Sequence, residues 1–155
     1  MLTGSYINSI DSKGRAVVPA KLRYGLAERI WLVKGIDPCL YLFAPEAWTR
    51  FKAENLDGNP FDDPNARQLK RRFLTSSREI EIDGHGRILI PAEYLAYAGI
   101  EKDVVFAGME DMVELWSGER FAQVMDDGGE DASALLAAAA GFRRRTSGQP
   151  DGGKD

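Results

Sequence analysis

Two five-residue stretches, Asp11-Ser12-Lys13-Gly14-Arg15 and Asp83-Gly84-His85-Gly86-Arg87, set a carboxylate and a guanidinium four residues apart with a glycine between them. Acid–base catalysis is the first chemistry to test. It needs a group that titrates near the working pH, and arginine stays protonated throughout. Neither stretch has a nucleophile pair or a second carboxylate at fixed spacing, and the single histidine, His85, has no partner in the surrounding sequence. The pattern therefore reads as non-enzymatic. Asp11 and Asp83 suit a turn in which the carboxylate accepts hydrogen bonds from turn amides, and Gly14 and Gly86 supply the positive φ of a turn followed by a bulge. That turn does not require the arginines. With Lys13 and Arg15 near a hairpin tip, and Lys21 and Arg23 within one helical turn beyond it, the first stretch predicts a compact basic surface. Such a surface suits phosphates, and arginine can fork onto a guanine edge.

The elements that must position these groups are written twice. Ile10–Leu22 (IDSKGRAVVPAKL) returns as Ile82–Tyr94 (IDGHGRILIPAEY), an offset of 72, and Leu2, Thr3 and Ser5 return as Leu74, Thr75 and Ser77. Further along, at an offset of 73, Lys34-Gly35 answers Ala107-Gly108, Leu40–Phe43 answers Val113–Trp116, and Trp48 answers Phe121. In each copy, period-two runs (SYINSI, REIEI) predict a strand entering the turn, and Arg15–Val18 or Arg87–Ile90 predicts the strand leaving it. Pro19 and Pro91 then open a short helix that Gly25 and Gly99 close. Two more strands follow, IWLVKG with CLYLF and VVFAG with MVELW, and then a helix opened by PEAW or SGERF. The expected organisation is a first repeat over 1–55, a connecting segment with a helix over 56–72, a second repeat over 73–127, and a mostly disordered tail over 128–155. In that tail Arg143, Arg144 and Arg145 read as a solvated basic triplet.

Composition narrows the class. A content of 44% hydrophobic residues in 155 suits a globular protein. No apolar run approaches the ~20 residues of a membrane span, the N-terminus lacks signal-peptide regions, and a cytoplasmic location is expected. One cysteine, Cys39, excludes an internal disulfide and any multi-cysteine zinc site; no metal or cofactor is expected. The net charge of −4 is unevenly spread: residues 1–35 sum to +4 and 65–94 to +2, whereas 36–64 sum to −4 and 95–127 to −6. Both motif copies lie in basic segments, and local potential steers a polyanion better than net charge does.

The start Met1-Leu2-Thr3-Gly4, the DSKGRAVVPAKLR and LYLFAPEAW segments, DGHGRILIPAEY and the ELW ending at Trp116 resemble the MraZ family of bacterial transcriptional regulators over residues 1–127. Leu2 departs from it, standing where phenylalanine is frequent. The resemblance implies an α+β, mainly β chain: a tandem AbrB-like (SpoVT-AbrB) swapped-hairpin β-barrel that forms a pseudo-dimer within one chain. It also implies ring-shaped homo-oligomers, nucleoid association, and binding of double-stranded DNA at short direct repeats in the promoter region of the division and cell-wall gene cluster. The family's DNA-contacting arginine falls on Arg15, with Arg87 its counterpart. Units of about fifty residues do not close a core alone, so a tandem copy lets one chain replace a homodimer. Two other classes stay open: an antitoxin-like module that holds a partner through its tail, and a structural oligomer without DNA affinity. Lys13, Lys21 and Arg23 surround Arg15, while His85, Glu93 and Leu95 occupy the matching places around Arg87, so the first copy is expected to dominate binding.

Overall fold

The computed structural model describes residues 1–127 and 131–147, which divide into a unit over Met1–Phe121 and a second that begins at Ala122. Each motif copy contributes four strands in the order expected. The first copy supplies β1 (Ser5–Ser9), β2 (Arg15–Val17), α1 (Ala20–Arg23), β3 (Arg29–Lys34), β4 (Leu40–Phe43) and α2 (Pro45–Asn55). After α3 (Pro64–Thr75), the second supplies β5 (Ser77–Glu81), β6 (Arg87–Leu89), α4 (Ala92–Ala98), β7 (Asp103–Gly108), β8 (Val113–Ser117) and α5 (Gly118–Asp127). The chain is α+β with antiparallel strand pairing.

Pairing partners are the informative part of the topology. A six-stranded sheet runs β1-β7-β8-β4-β3-β5, and β2 and β6 form a separate two-stranded ribbon. Only β3–β4 and β7–β8 pair within a copy; β1–β7, β3–β5, β4–β8 and β2–β6 all join one copy to the other. The expected barrel is not closed, because the large sheet ends at β1 and β5. The reason is length. Pro19 and Pro91 lack the amide that would continue the ladder, so β2 and β6 stop at three residues and bond each other; an isolated bridge, Ile10 to Ala16, links back toward β1.

Pro19 and Pro91 do not occupy the first helical position as expected. Both are extended residues immediately before α1 and α4, and their carbonyls receive the first helical bonds. Gly99 closes α4 in the left-handed region, but Gly25 has no positive φ. A Cβ on Gly25 would lie 2.5 Å from Leu2 Cδ2, so close packing selects the glycine there.

The core confirms that neither copy is self-sufficient. One buried cluster takes Ala16, Val18, Leu22 and Ile30 from the first copy and Ile88, Ile90, Tyr94 and Phe106 from the second. Each large aliphatic there contributes roughly 1.5–3 kcal/mol of transfer free energy. A second cluster is aromatic: Trp48 stacks on Phe51 with centroids 5.7 Å apart, and Phe51 meets Phe73 of α3 at 5.4 Å. In the second unit, Ala132–Ser147 forms helix α6, where a mostly disordered tail was expected. Asp131 caps it by accepting from Ala134 N–H at 2.9 Å, a local signal the Ala/Leu run alone did not carry. The remaining tail residues, 128–130 and 148–155, lie outside the described residues.

Candidate nucleic-acid interface

Both turns are built alike. Asp11 Oδ1 accepts from the amides of Lys13 and Arg15 at 2.9 Å each, and its backbone carbonyl accepts from Gly14 N–H at 3.0 Å. In the second copy Asp83 Oδ1 accepts from His85 at 2.8 Å and from Arg87 at 2.9 Å. Gly14 and Gly86 take φ of 86° and 77°, a region where a Cβ is strained. The second carboxylate oxygen of each aspartate accepts from the arginine Nε, 2.9 Å in both copies. Backbone N–H donation from Arg87 is the largest influence on Asp83 and lowers its pKa to about 2; donation from Arg15 leads the lowering at Asp11. Both carboxylates are therefore ionised at neutral pH. Each holds its arginine by Nε alone, so the Nη1/Nη2 fork keeps no partner among the described residues.

The ribbon puts the two arginines together. Arg15 sits opposite Leu89 and Val17 opposite Arg87, so these four share one face, while Ala16 and Ile88 point into the core. Two residues of rise and one interstrand step place the arginine Cα atoms roughly 8 Å apart on the diagonal. Between them stand two exposed apolar side chains, Val17 at 42% and Leu89 at 54% exposure. Sequence reading missed this apolar pair. Its signal was present in the period-two pattern of RAV and RIL, but only the pairing shows that the two strands contribute to a single face.

Pairing also rearranges the basic residues. Ile90 N–H donates to Gly14 O at 2.9 Å, and Val18 N–H donates to Gly86 O at 2.8 Å. Each turn thus lies beside the other copy's helix: the Lys13 turn beside α4, and the His85 turn beside α1 with Lys21 and Arg23. The compact cluster of Lys13, Arg15, Lys21 and Arg23 is not formed. Lys13 and Lys21 are exposed at different ends of the ribbon, and Arg23 is half-buried, donating from Nη1 to Val18 O at 2.8 Å and to Gly86 O at 3.5 Å. Arg23 braces the second turn. The expected dominance of the first copy loses its premise, because α1, which carries Lys21 and Arg23, stands at the second turn and not at the first.

Among the described residues, no group of three or more His, Cys, Asp or Glu could hold a metal ion, and no helix is long and apolar enough to cross a membrane. The sequence matches a protein-family model described as "MraZ protein, putative antitoxin-like" twice, over residues 1–72 and 73–143. It is 43% identical to the transcriptional regulator MraZ of Symbiobacterium thermophilum over 127 residues, covering 82% of this chain and 91% of that protein. A second similar protein, the transcriptional regulator MraZ of Thermoanaerobacter sp. strain X514, is 46% identical over 119 residues, covering 77% and 82%. A third, from Acetivibrio thermocellus and bearing the same name, is 38% identical over 135 residues, covering 87% and 94%.

Proposed function

The chain belongs to the MraZ family, and from that premise we propose that it is a sequence-specific DNA-binding transcriptional regulator whose reading surface is the β2–β6 ribbon. The supporting observation is the pair of aspartate-held arginines on one exposed ribbon face. A two-stranded ribbon fits the major groove of B-DNA, about 12 Å wide, and an arginine fork matches guanine O6 and N7. A diagonal of roughly 8 Å between Cα atoms suits contacts about two base steps apart. The exposed Val17 and Leu89 offer apolar contacts of the kind a thymine methyl accepts. Holding Nε by a carboxylate fixes the guanidinium before DNA arrives, which lowers the ordering cost of binding.

In this reading the chain is a swapped-hairpin pseudo-dimer, its repeats divided near 55 and 73, with Arg15 and Arg87 as base-reading groups and Lys13 and Lys21 as phosphate contacts. Asp11, Gly14, Asp83 and Gly86 hold the turns and Arg23 braces the second. The protein acts in the cytoplasm at the nucleoid, as a ring-shaped oligomer on short direct repeats upstream of the division and cell-wall gene cluster. Linking several weak heads raises apparent affinity by ~10² to 10⁴. Electrophoretic mobility shift with DNA from upstream of its own gene tests the reading: a tandem array of boxes shifts, a single box shifts weakly, and no shift at any box number refutes it. A second, antitoxin-like reading is favoured by the exposed Leu135 (49%) and Phe142 (60%) of α6, seven residues apart and so on one helix face, an apolar surface suited to a partner. Co-purification of a small protein that is lost when residues 128–155 are removed would support it.

A further inference from the structure

Away from the ribbon, two tyrosines of α4 organise a row of cations. Tyr97 donates its hydroxyl proton to Gly35 O at 2.7 Å, and Tyr94 donates to Ser76 O at 3.0 Å, so both rings are fixed. The Lys34 ammonium lies 5.4 Å from the Tyr97 ring centroid and 5.6 Å from that of Tyr94. The Arg78 guanidinium lies over Tyr94 at 5.7 Å, and Arg72 donates from Nη2 to the Tyr97 hydroxyl at 2.8 Å and to Gly35 O at 2.6 Å. The order is Arg78, Tyr94, Lys34, Tyr97, Arg72.

The ion pair in this row joins Arg78 to Glu93 at 3.9 Å, with both side chains more than half exposed; it contributes little stability, and Glu93 cancels one of the row's three positive charges. Lys34 and Arg72 make no ion pair among the described residues. Three cations gathered with one counter-charge leave a positive potential that an anion relieves. Helix α4 also ties the row to the ribbon, since Leu95 Cδ1 comes within 3.5 Å of where a Cβ on Gly14 would stand. Seven helical residues span about 10 Å, so the row begins one short helix from the Lys13 turn. We infer that Lys34, Arg72 and Arg78, arrayed on the α4 tyrosines, form a sequence-independent contact for the DNA phosphodiester backbone flanking the bases that the ribbon reads. The inference rests on the DNA-binding reading above. Its division of labour is a general one: phosphate contacts position the protein and base contacts specify the site.

The test is the double variant Lys34→Gln/Arg78→Gln, titrated by fluorescence anisotropy on a single-box duplex and on a random-sequence duplex across salt concentrations. Neither side chain hydrogen-bonds the backbone, and the Lys34→Gln single variant serves should the double variant fail to fold. Losing two phosphate contacts flattens the slope of log K against log salt by about 1.8, or about 60-fold in affinity at 0.1 M relative to 1 M. The loss is equal on both duplexes, and Lys34→Arg/Arg78→Lys restores it. An unchanged slope, or a loss confined to the box sequence, overturns the inference while the ribbon reading stands. A salt-dependent fall in oligomer size with an unchanged slope also overturns it, and assigns the row to an acidic face of a second copy. Wild-type protein that binds neither duplex nor a tandem array overturns both.

Discussion

The cross-copy ribbon makes the two arginines equivalent, and that equivalence is measurable. Arg15→Ala removes one guanidinium fork from the face formed by Arg15, Val17, Arg87 and Leu89, and Arg87→Ala removes its diagonal counterpart. The turns survive either change, because each aspartate keeps its two amide donors. A forked arginine–guanine contact contributes about 1–3 kcal/mol of discrimination, so each variant loses roughly 5- to 150-fold on a single-box duplex. The double variant falls to non-specific affinity. Arg15→Lys and Arg87→Lys keep the charge and lose the fork, so they retain most of the salt slope while specificity collapses. Anisotropy titrations at several salt concentrations, with thermal melts alongside, read all of these together. Losses for the two alanine variants that differ by more than tenfold would refute the equivalence and restore the first copy's dominance expected from sequence neighbours. A melting temperature that falls as far as affinity does would make the arginines structural.

Three further outcomes follow from the same geometry. Gly14→Ala destabilises more than Gly86→Ala in thermal melts, because its Cβ meets the fixed Ile90 carbonyl at 2.8 Å, whereas the Gly86 Cβ meets the end of the Arg23 side chain, which can swing away at the cost of its hydrogen bonds to Val18 O and Gly86 O; the reverse order refutes this. Asp83, with a folded pKa of about 2 against an unfolded value near 3.9, contributes stability that is present above pH ~4 and lost as pH falls toward 2. Asp83→Asn flattens denaturant midpoints across that window, and an unchanged acid profile argues against the turn network. A chain ending at residue 72 loses the partners of β1, β2 and the outer edge of β3, so it is unfolded or dimeric in circular dichroism and light scattering; a folded monomer of that length refutes the cross-copy core.

Much of the local structure was legible because it is local. Period-two alternation in SYINSI and REIEI marks strands whatever they pair with, and Asp11 with Gly14 specifies its turn within four residues. Partners are a different matter. The structure half-buries Tyr6 and Asn8, but nothing in the sequence of β1 says that it lies against β7, nearly a hundred residues away. The resemblance supplied the idea of exchange between copies; the residues alone did not. The site suffered most from this limit. Lys21 and Arg23 look adjacent to Arg15 because they follow it by six and eight residues, yet Arg23 stands by the other copy's turn. The Lys34–tyrosine row was invisible because it draws on β3, α3, β5 and α4, which meet only once both copies have folded.

This dependence on both copies has a consequence for folding as well as for recognition. The ribbon's backbone bonds, Ile90 to Gly14 and Val18 to Gly86, join residues about seventy positions apart, and so does the Arg23 brace on Gly86. Closing such contacts costs chain entropy before any local bond offsets it, and because Ala16, Val18, Ile88 and Ile90 belong to the aliphatic cluster, the ribbon and that cluster depend on each other. A chain with one copy unfolded therefore has no paired arginines, since Arg15 needs β6 beside it to share a face with Arg87. On the proposed reading, such a chain is expected to keep non-specific phosphate attraction and to lose base reading. Because the ribbon's inward residues are core residues, loss of either copy removes the surface proposed here to read DNA.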